Sequence, residues 1–217
     1  SKVGEISELM RFVKPKYGIV TSIGPQHLNT FHSMDNIIKE KMQMIELLPK
    51  DGTGIINIDN EYIRNYQIKN TCQIITIGIH NEEADYLAYD IDYDIDGSSF
   101  KVRHGDEVWS FKTKLLGEHN IMNTLAAIAL AKSLGMDDKV INRAVNKIKM
   151  VEHRLELKKI NGFTFIDNAF NSNPVGCKMS LDVLSKMPNR HIIITPGLID
   201  LGKEEEAALK MAVGDDD

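Results

Sequence analysis

Apolar positions along the chain switch between two periods. Tyr17-Gly18-Ile19-Val20-Thr21-Ser22-Ile23 is a short strand-like run that Gly24-Pro25 stops. Gln26 and His27 are therefore expected on a loop just past a strand's C-terminal end. From Asp35 to Leu48 the residues Ile37, Ile38, Met42, Met44, Ile45 and Leu48 recur at roughly helical spacing, and Ser33 is placed to cap that helix. Gly54-Ile55-Ile56-Asn57-Ile58 and Gln73-Ile74-Ile75-Thr76-Ile77 read as buried strands, with a helix from Glu61 to Gln67 between them. This order predicts a parallel sheet with helices packed on it, because parallel strands need crossover connections.

Between Ala84 and Leu116 the period becomes two. Tyr89-Asp90-Ile91-Asp92-Tyr93, Phe100-Lys101-Val102 and Val108-Trp109-Ser110-Phe111 alternate, and Asp96-Gly97 and His104-Gly105-Asp106 are turn signals. An antiparallel insert is expected here. Helices follow at Asn120 to Leu134, which Gly135 ends, and at Asp137 to Ile148. A break falls near Lys149 to Glu156. Beyond it, Leu155-Glu156-Leu157-Lys158 and Phe163-Thr164-Phe165-Ile166-Asp167 are set to pair across Asn161-Gly162. A helix from Pro174 to Leu184, a strand at His191-Ile192-Ile193-Ile194-Thr195 and a helix near Glu204 to Val213 complete the pattern. Two α/β units are predicted, residues 1–151 and 152–217. The second is small for a domain and stops in mid-pattern, which suggests a longer parent.

Composition narrows the classes. The 217 residues are 42% apolar and carry a net charge of -5 with both signs interspersed, so no basic stripe points to nucleic acid. No apolar run is long enough to insert in a membrane. The N-terminus, Ser1-Lys2-Val3-Gly4-Glu5, lacks a signal-peptide core. Cys72 and Cys177 make neither a disulfide framework nor a zinc site, and two lone thiols suit a reducing, cytoplasmic setting.

Four clusters can carry chemistry, each beside a strand end or helix start, where ligands bind in open α/β sheets. In Gly24-Pro25-Gln26-His27-Leu28, His27 is a metal ligand or a surface histidine. Lys41, in Lys39-Glu40-Lys41, is a functional lysine or part of a solvated helix face. In Gly117-Glu118-His119-Asn120-Ile121-Met122-Asn123, the amides of Asn120 and Asn123 lie three apart on one helix face. They either read the polar edge of a base or serve as a helix cap and a solvent-facing neighbour. In His153-Arg154 and Asp167-Asn168-Ala169-Phe170-Asn171-Ser172-Asn173-Pro174, a polar loop precedes a helix that opens on proline. It holds a sugar or phosphate, or it is a polar connection capped by Asn173. The planar fork of Arg154 suits a phosphate.

As an ordered set these segments resemble the Mur ligase family. Gly4-Glu5-Ile6 through Leu28 is similar to that family's central ATPase domain, and Lys41 falls at its modified lysine. Gly117-Glu118-His119-Asn120 with Asn123 resembles its G-x-H-N-x-x-N segment. His153-Arg154-Leu155-Glu156 resembles the G-R-L-E that opens its C-terminal domain, and Asp167 to Pro174 resembles the D-D-S-Y-N-A-N-P of the branch that adds D-alanyl-D-alanine. The resemblance implies a central domain over 1–151 and a partial Rossmann-like C-terminal domain over 152–217. It implies an ATP- and Mg2+-dependent ligase of cell-wall precursor synthesis. ATP phosphorylates the carboxylate of a UDP-muramoyl tripeptide, and the amine of D-alanyl-D-alanine displaces the phosphate. It assigns His27 and a carbamylated Lys41 to the metal, and Asn120 and Asn123 to adenine. Arg154 and Asp167 go to the phosphate and ribose side, with Arg154 also counted among the catalytic residues, and Asn171 and Asn173 go to the substrate cleft.

There are departures. No G-x-x-x-x-G-K-[ST] occurs in the 217 residues, and the resemblance places that loop and a metal-binding glutamate upstream of Ser1. These residues alone are therefore expected not to catalyse ligation. Ser22 and Gln26 replace residues more usual in this branch, and His153 stands where the family often has glycine. Two other readings stay open: another Mur or folylpolyglutamate-type ligase, and a non-catalytic α/β binding module.

Overall fold

Residues 2–25, 28–169, 174–188 and 190–195 are described by the computed structural model. The chain opens with α1 (Glu5–Val13), β1 (Tyr17–Val20), α2 (Leu28–Phe31) and α3 (Met34–Glu46). It continues with β2 (Thr53–Asn57), α4 (Glu61–Arg64) and β3 (Gln73–Gly78). β1 pairs with β2 and β2 with β3, all parallel. All five residues of β2 are buried, as suits a central strand covered on both faces. Helix α3 begins as expected: Ser33 Oγ accepts from the Asn36 N–H at 3.2 Å.

Two boundaries differ from the sequence pattern. β1 ends at Val20 and not at Ile23, since Asn57 Nδ2 donates to Thr21 O and Asn60 Nδ2 to Ile23 O, both at 2.8 Å. Those two asparagines hold the loop that leads toward residue 26. α4 stops at Arg64, whose Nη1 donates to Ile58 O. The stretch after it is tied to the end of α3: Asn70 Nδ2 donates to Ile45 O at 2.8 Å and Leu48 O at 2.9 Å.

The period-two region forms β4 (Tyr86–Asp94), β5 (Gly97–His104) and β6 (Glu107–Thr113). It extends the same sheet, in the order β1-β2-β3-β4-β5-β6, because β4 pairs in parallel with β3 at Ile77↔Tyr86 and Gly78↔Leu87. The short connections after β4 and β5 require antiparallel hairpins. Then come α5 (Glu118–Ser133), α6 (Asp138–Asn146), β7 (Glu156–Ile160), β8 (Phe163–Asp167) and α7 (Pro174–Ser185). β7 and β8 form a separate antiparallel pair. Asn161 (φ 50°) and Gly162 (φ 82°) make the doubly left-handed turn expected of Asn-Gly.

Residues 191–195 are not a strand. Ile192, Ile193 and Ile194 are 72%, 54% and 91% exposed. No described strand pairs with this run, and apolar composition alone cannot hold an extended segment without a ladder partner. The helix expected near Glu204 lies outside the described residues.

The chain forms two compact units. One is Ser1–Tyr89, Lys101–Trp109 and Met122–Ile141. The other is Asp90–Phe100, Ser110–Ile121 and Asn142–Asp217. The first has a core that includes Met10, Phe31, Ile37, Met42, Ile45 and Ile63. Fully burying one such side chain contributes roughly 1.5–3 kcal/mol. The second has a smaller core of Tyr93, Leu116, Leu155, Val183 and Met187. No helix among the described residues is long and apolar enough to cross a membrane.

Candidate functional site

In the first unit the expected site residue is Lys41, on α3. Ile37 and Ile45, one turn to either side, are fully buried, and Lys41 between them is half-buried. Its neighbour Glu40 corrects the idea of a solvated Lys39-Glu40-Lys41 face. Glu40 is 5% exposed, and its carboxylate accepts from Gly4 N–H at 2.8 Å and Ile6 N–H at 2.7 Å. It satisfies the open amides at the start of α1, where a negative charge is also favoured by the helix dipole. Only Lys39 of the three is exposed. His27 lies outside the described residues.

Asp59 performs a related task at the end of β3. It accepts from the backbone N–H groups of Ile79 (2.6 Å), His80 (3.1 Å) and Asn81 (2.8 Å). With Asn57 and Asn60, it fixes loops at the C-terminal ends of the parallel strands. The sequence reading missed all three; Asn57 and Asn60 were legible only as polar residues at a strand end and a helix start.

In the second unit, two motifs far apart in sequence come together. Gly117 has φ 88°, and a Cβ there would lie 2.9 Å from Leu155 Cδ1 and 3.0 Å from His119 Cε1. Only glycine permits both this backbone and this approach. Leu155 is 2% exposed and packs with Leu116, so the Gly117-Glu118-His119-Asn120 segment is seated against His153-Arg154-Leu155. Asn120 Nδ2 donates to Leu116 O at 2.8 Å, which secures the start of α5. Asn123, three residues further along α5 and part of the first unit, is exposed. His119 Nδ1 is buried without a hydrogen-bond partner, as is Tyr93 Oη. Burial pushes the His119 imidazole below its usual range, and the Arg154 guanidinium pushes it further the same way. The ring is therefore held neutral, with a nitrogen able to take one more bond.

Arg154 is exposed, and its backbone N–H donates to Val151 O at 3.2 Å. His153 (φ 60°) and Leu155 (φ 49°) on either side are left-handed, a conformation that costs a non-glycine residue about 1–2 kcal/mol. This explains why glycine is usual at the position of His153. Asp167 ends β8. Its Oδ2 accepts from Lys158 Nζ at 2.7 Å and is 2.8 Å from His153 Nδ1, and its Oδ1 accepts from Ala169 N–H at 3.2 Å. Lys158 Nζ is also 2.9 Å from Glu156 Oε2. The ammonium of Lys158, then His153, hold the Asp167 carboxyl down at about 2. Ligand atoms of His153, Glu156 and Asp167 lie within 4.8 Å of one another, yet Lys158 already serves as the cation of this group. Asn168 Oδ1 accepts from Leu155 N–H at 3.2 Å, tying the end of β8 to the same motif. Asn171 and Asn173 lie outside the described residues.

The family described as the Mur ligase middle domain matches residues 1–131, more than half of the chain. The chain is 28% identical over 211 residues to the UDP-N-acetylmuramoyl-tripeptide--D-alanyl-D-alanine ligase of Bacillus subtilis, covering 95% of this chain and 44% of that protein. It is 31% identical over 180 residues to the UDP-N-acetylmuramate--L-alanine ligase of Dictyoglomus turgidum, covering 81% of this chain and 38% of that protein. The fold is shared with the MurF ligase from Thermotoga maritima in complex with ADP, at a TM-score of 0.85 and 18% identity, over 98% of this chain and 49% of that one. The chain thus spans less than half the length of these relatives. With the Mur ligase middle domain matching from before α1 into α5, over more than half of the chain, this chain belongs to the Mur ligase family.

Proposed function

We propose that this Mur ligase works, as a whole protein, as an ATP-dependent amide-forming ligase of peptidoglycan precursor synthesis. In this reading it adds D-alanyl-D-alanine to a UDP-muramoyl tripeptide. Residues 1–151 belong to its central ATP-binding domain, and residues 152–217 open its C-terminal ligase domain. The observation that carries the reading is the seating of the Gly117 motif against the Arg154-Leu155 motif. That contact brings His119 Nδ1, a buried ring nitrogen with no hydrogen-bond partner, within the electrostatic reach of Arg154. The relative from Bacillus subtilis, which bears this activity in its name, supports the choice of substrate.

The residues present fit a nucleotide. His119 Nδ1 has an unmet bond, Asn120 and Asn123 carry amides on one helix face, and Arg154 offers a fork suited to phosphate. Asp167 is kept ionised and supplies acceptor oxygens for ribose hydroxyls. ATP supplies the phosphoryl group that activates the peptide carboxylate, and magnesium offsets the charge that gathers on the phosphate oxygens. An ammonium has no lone pair for a cation, so Lys41 fits a magnesium site only as a carbamate, whose oxygens suit that ion. His27 is assigned beside it, and Asn171 and Asn173 are assigned to orienting the peptide substrates.

The test uses the full-length enzyme and phosphate release with ATP, magnesium, UDP-muramoyl tripeptide and D-alanyl-D-alanine. Lys41→Ala is expected to lower turnover about 100-fold or more, the scale of losing one charge-stabilising group, and bicarbonate does not restore it. Near-normal turnover would remove Lys41 from the mechanism. Replacing Asn120 and Asn123 with Ala is expected to raise KM for ATP more than KM for the peptides; equal effects on all substrates would mark a structural helix start. A second reading, a ligase for another step, draws on the 31% identity to the L-alanine-adding relative. Turnover with UDP-N-acetylmuramate and L-alanine, and none with the tripeptide, would establish it.

A further inference from the structure

We propose that Lys158, assisted by His153, is a positioning residue for Asp167: together they pin one carboxylate oxygen, so that the carboxylate presents a fixed acceptor to the ribose of the nucleotide. This rests on the reading of Asp167 as a nucleotide-side acceptor. The register of the hairpin sets the geometry. Glu156 is opposite Asp167, and Lys158 is opposite Phe165. Residues two apart on a strand share a face, so Glu156 and Lys158 lie on one side of β7, with Asp167 directly across from the first and diagonal to the second. That arrangement delivers Nζ between two carboxylates, 2.9 Å from Glu156 and 2.7 Å from Asp167. A slip of one residue would send Lys158 to the opposite face, and the Asn161-Gly162 turn prevents it.

Lys158 and His153 both contact Oδ2 of Asp167. Oδ1 carries the single bond from Ala169 N–H, and a carboxylate oxygen has room for a second donor. Without the ammonium, Glu156 and Asp167 are adjacent like charges and turn away from each other. His153 is tied into the same unit from the other side, its backbone N–H donating to Glu156 Oε2 at 3.1 Å. The residue sits in a left-handed conformation in which glycine would be unstrained, and its ring bond to Asp167 is what a glycine there would lack.

The experiment is calorimetric binding of ADP, 2′-deoxy-ADP and 3′-deoxy-ADP to the full-length enzyme. The wild type is expected to bind ADP about tenfold more tightly than at least one deoxy analogue, as loss of one good hydrogen bond implies. Lys158→Met is expected to bring the two within about twofold, while Lys158→Arg keeps the preference because its fork also spans two carboxylates. A merely structural lysine would lower affinity for all three nucleotides alike and leave their ratio unchanged. Lys158→Gln is the second variant should Lys158→Met not fold, with the same outcomes. An unchanged ratio in the folded Lys158 variants, together with its loss in Asp167→Ala, overturns the positioning role alone. An unchanged ratio in Asp167→Ala, or none in the wild type, overturns the nucleotide reading of Asp167 and this proposal with it.

Discussion

Replacing Glu40 with alanine tests how α1 is held. Glu40 is buried in α3, and its two oxygens accept from Gly4 and Ile6 at 2.8 and 2.7 Å. Each bond to a charged group contributes about 1.5–3 kcal/mol when its donor cannot be resolvated. Here Gly4 is exposed and Ile6 half-buried, so water recovers much of that for the freed amides. Alanine is also a better helix former than glutamate, so α3 itself is not weakened. The net expected cost is about 2 kcal/mol for Glu40→Ala, and about half that for Glu40→Gln, which keeps one acceptor. The loss falls first on α1, which packs on the core through Met10 and Ile6, so it should appear as local opening. A cost of that size speeds amide exchange in α1 roughly thirtyfold. Hydrogen exchange read on peptides covering residues 5–13 and 34–46 measures both helices. If α1 exchange in Glu40→Ala changed by less than about twofold, the carboxylate would not be what anchors this helix.

Two further outcomes follow from the second unit. Gly117→Ala is expected to destabilise by about 2–4 kcal/mol, the sum of a left-handed penalty and overpacking against Leu155; a midpoint shift in denaturant equivalent to under about 0.5 kcal/mol would mean that the backbone relaxes freely there. The folded-state value of Asp167, depressed to about 2 by Lys158 and then His153, means that its contribution is fully present above the unfolded value near 4 and is lost as pH falls from there toward about 2. A carboxyl NMR titration should therefore find Asp167 ionised at pH 3.5 in the native protein and protonating well below the unfolded range; Lys158→Met should raise its midpoint, and an unmoved midpoint would contradict the assigned cause.

Local features were legible where short-range chemistry decides the outcome. Ser33 caps α3 because its hydroxyl reaches an amide three residues on. Asn161-Gly162 makes its hairpin because both residues tolerate positive φ. The parallel strands were readable from apolar runs separated by crossover lengths of chain. Helix α1 was also legible, since Ile6, Met10 and Val13 carry helical spacing. Of the candidate site, the residue types and their order were visible in the sequence, but their partners were not. Lys39-Glu40-Lys41 looks uniformly solvated as a string, and only the fold makes Glu40 a buried cap and Lys41 a half-buried neighbour of Ile37 and Ile45. His191 to Thr195 looks like a strand, but a strand exists only with a ladder partner, and none pairs with it among the described residues. Gly117 announces a flexible backbone; that it receives Leu155, thirty-eight positions later, depends on packing. Periodicity and capping are encoded within a turn or two of chain, so the sequence by itself determined the elements and their chemistry. Burial, charge pairing and close approach between distant residues arise only when those elements pack, and so the tertiary structure alone decided which side chains meet.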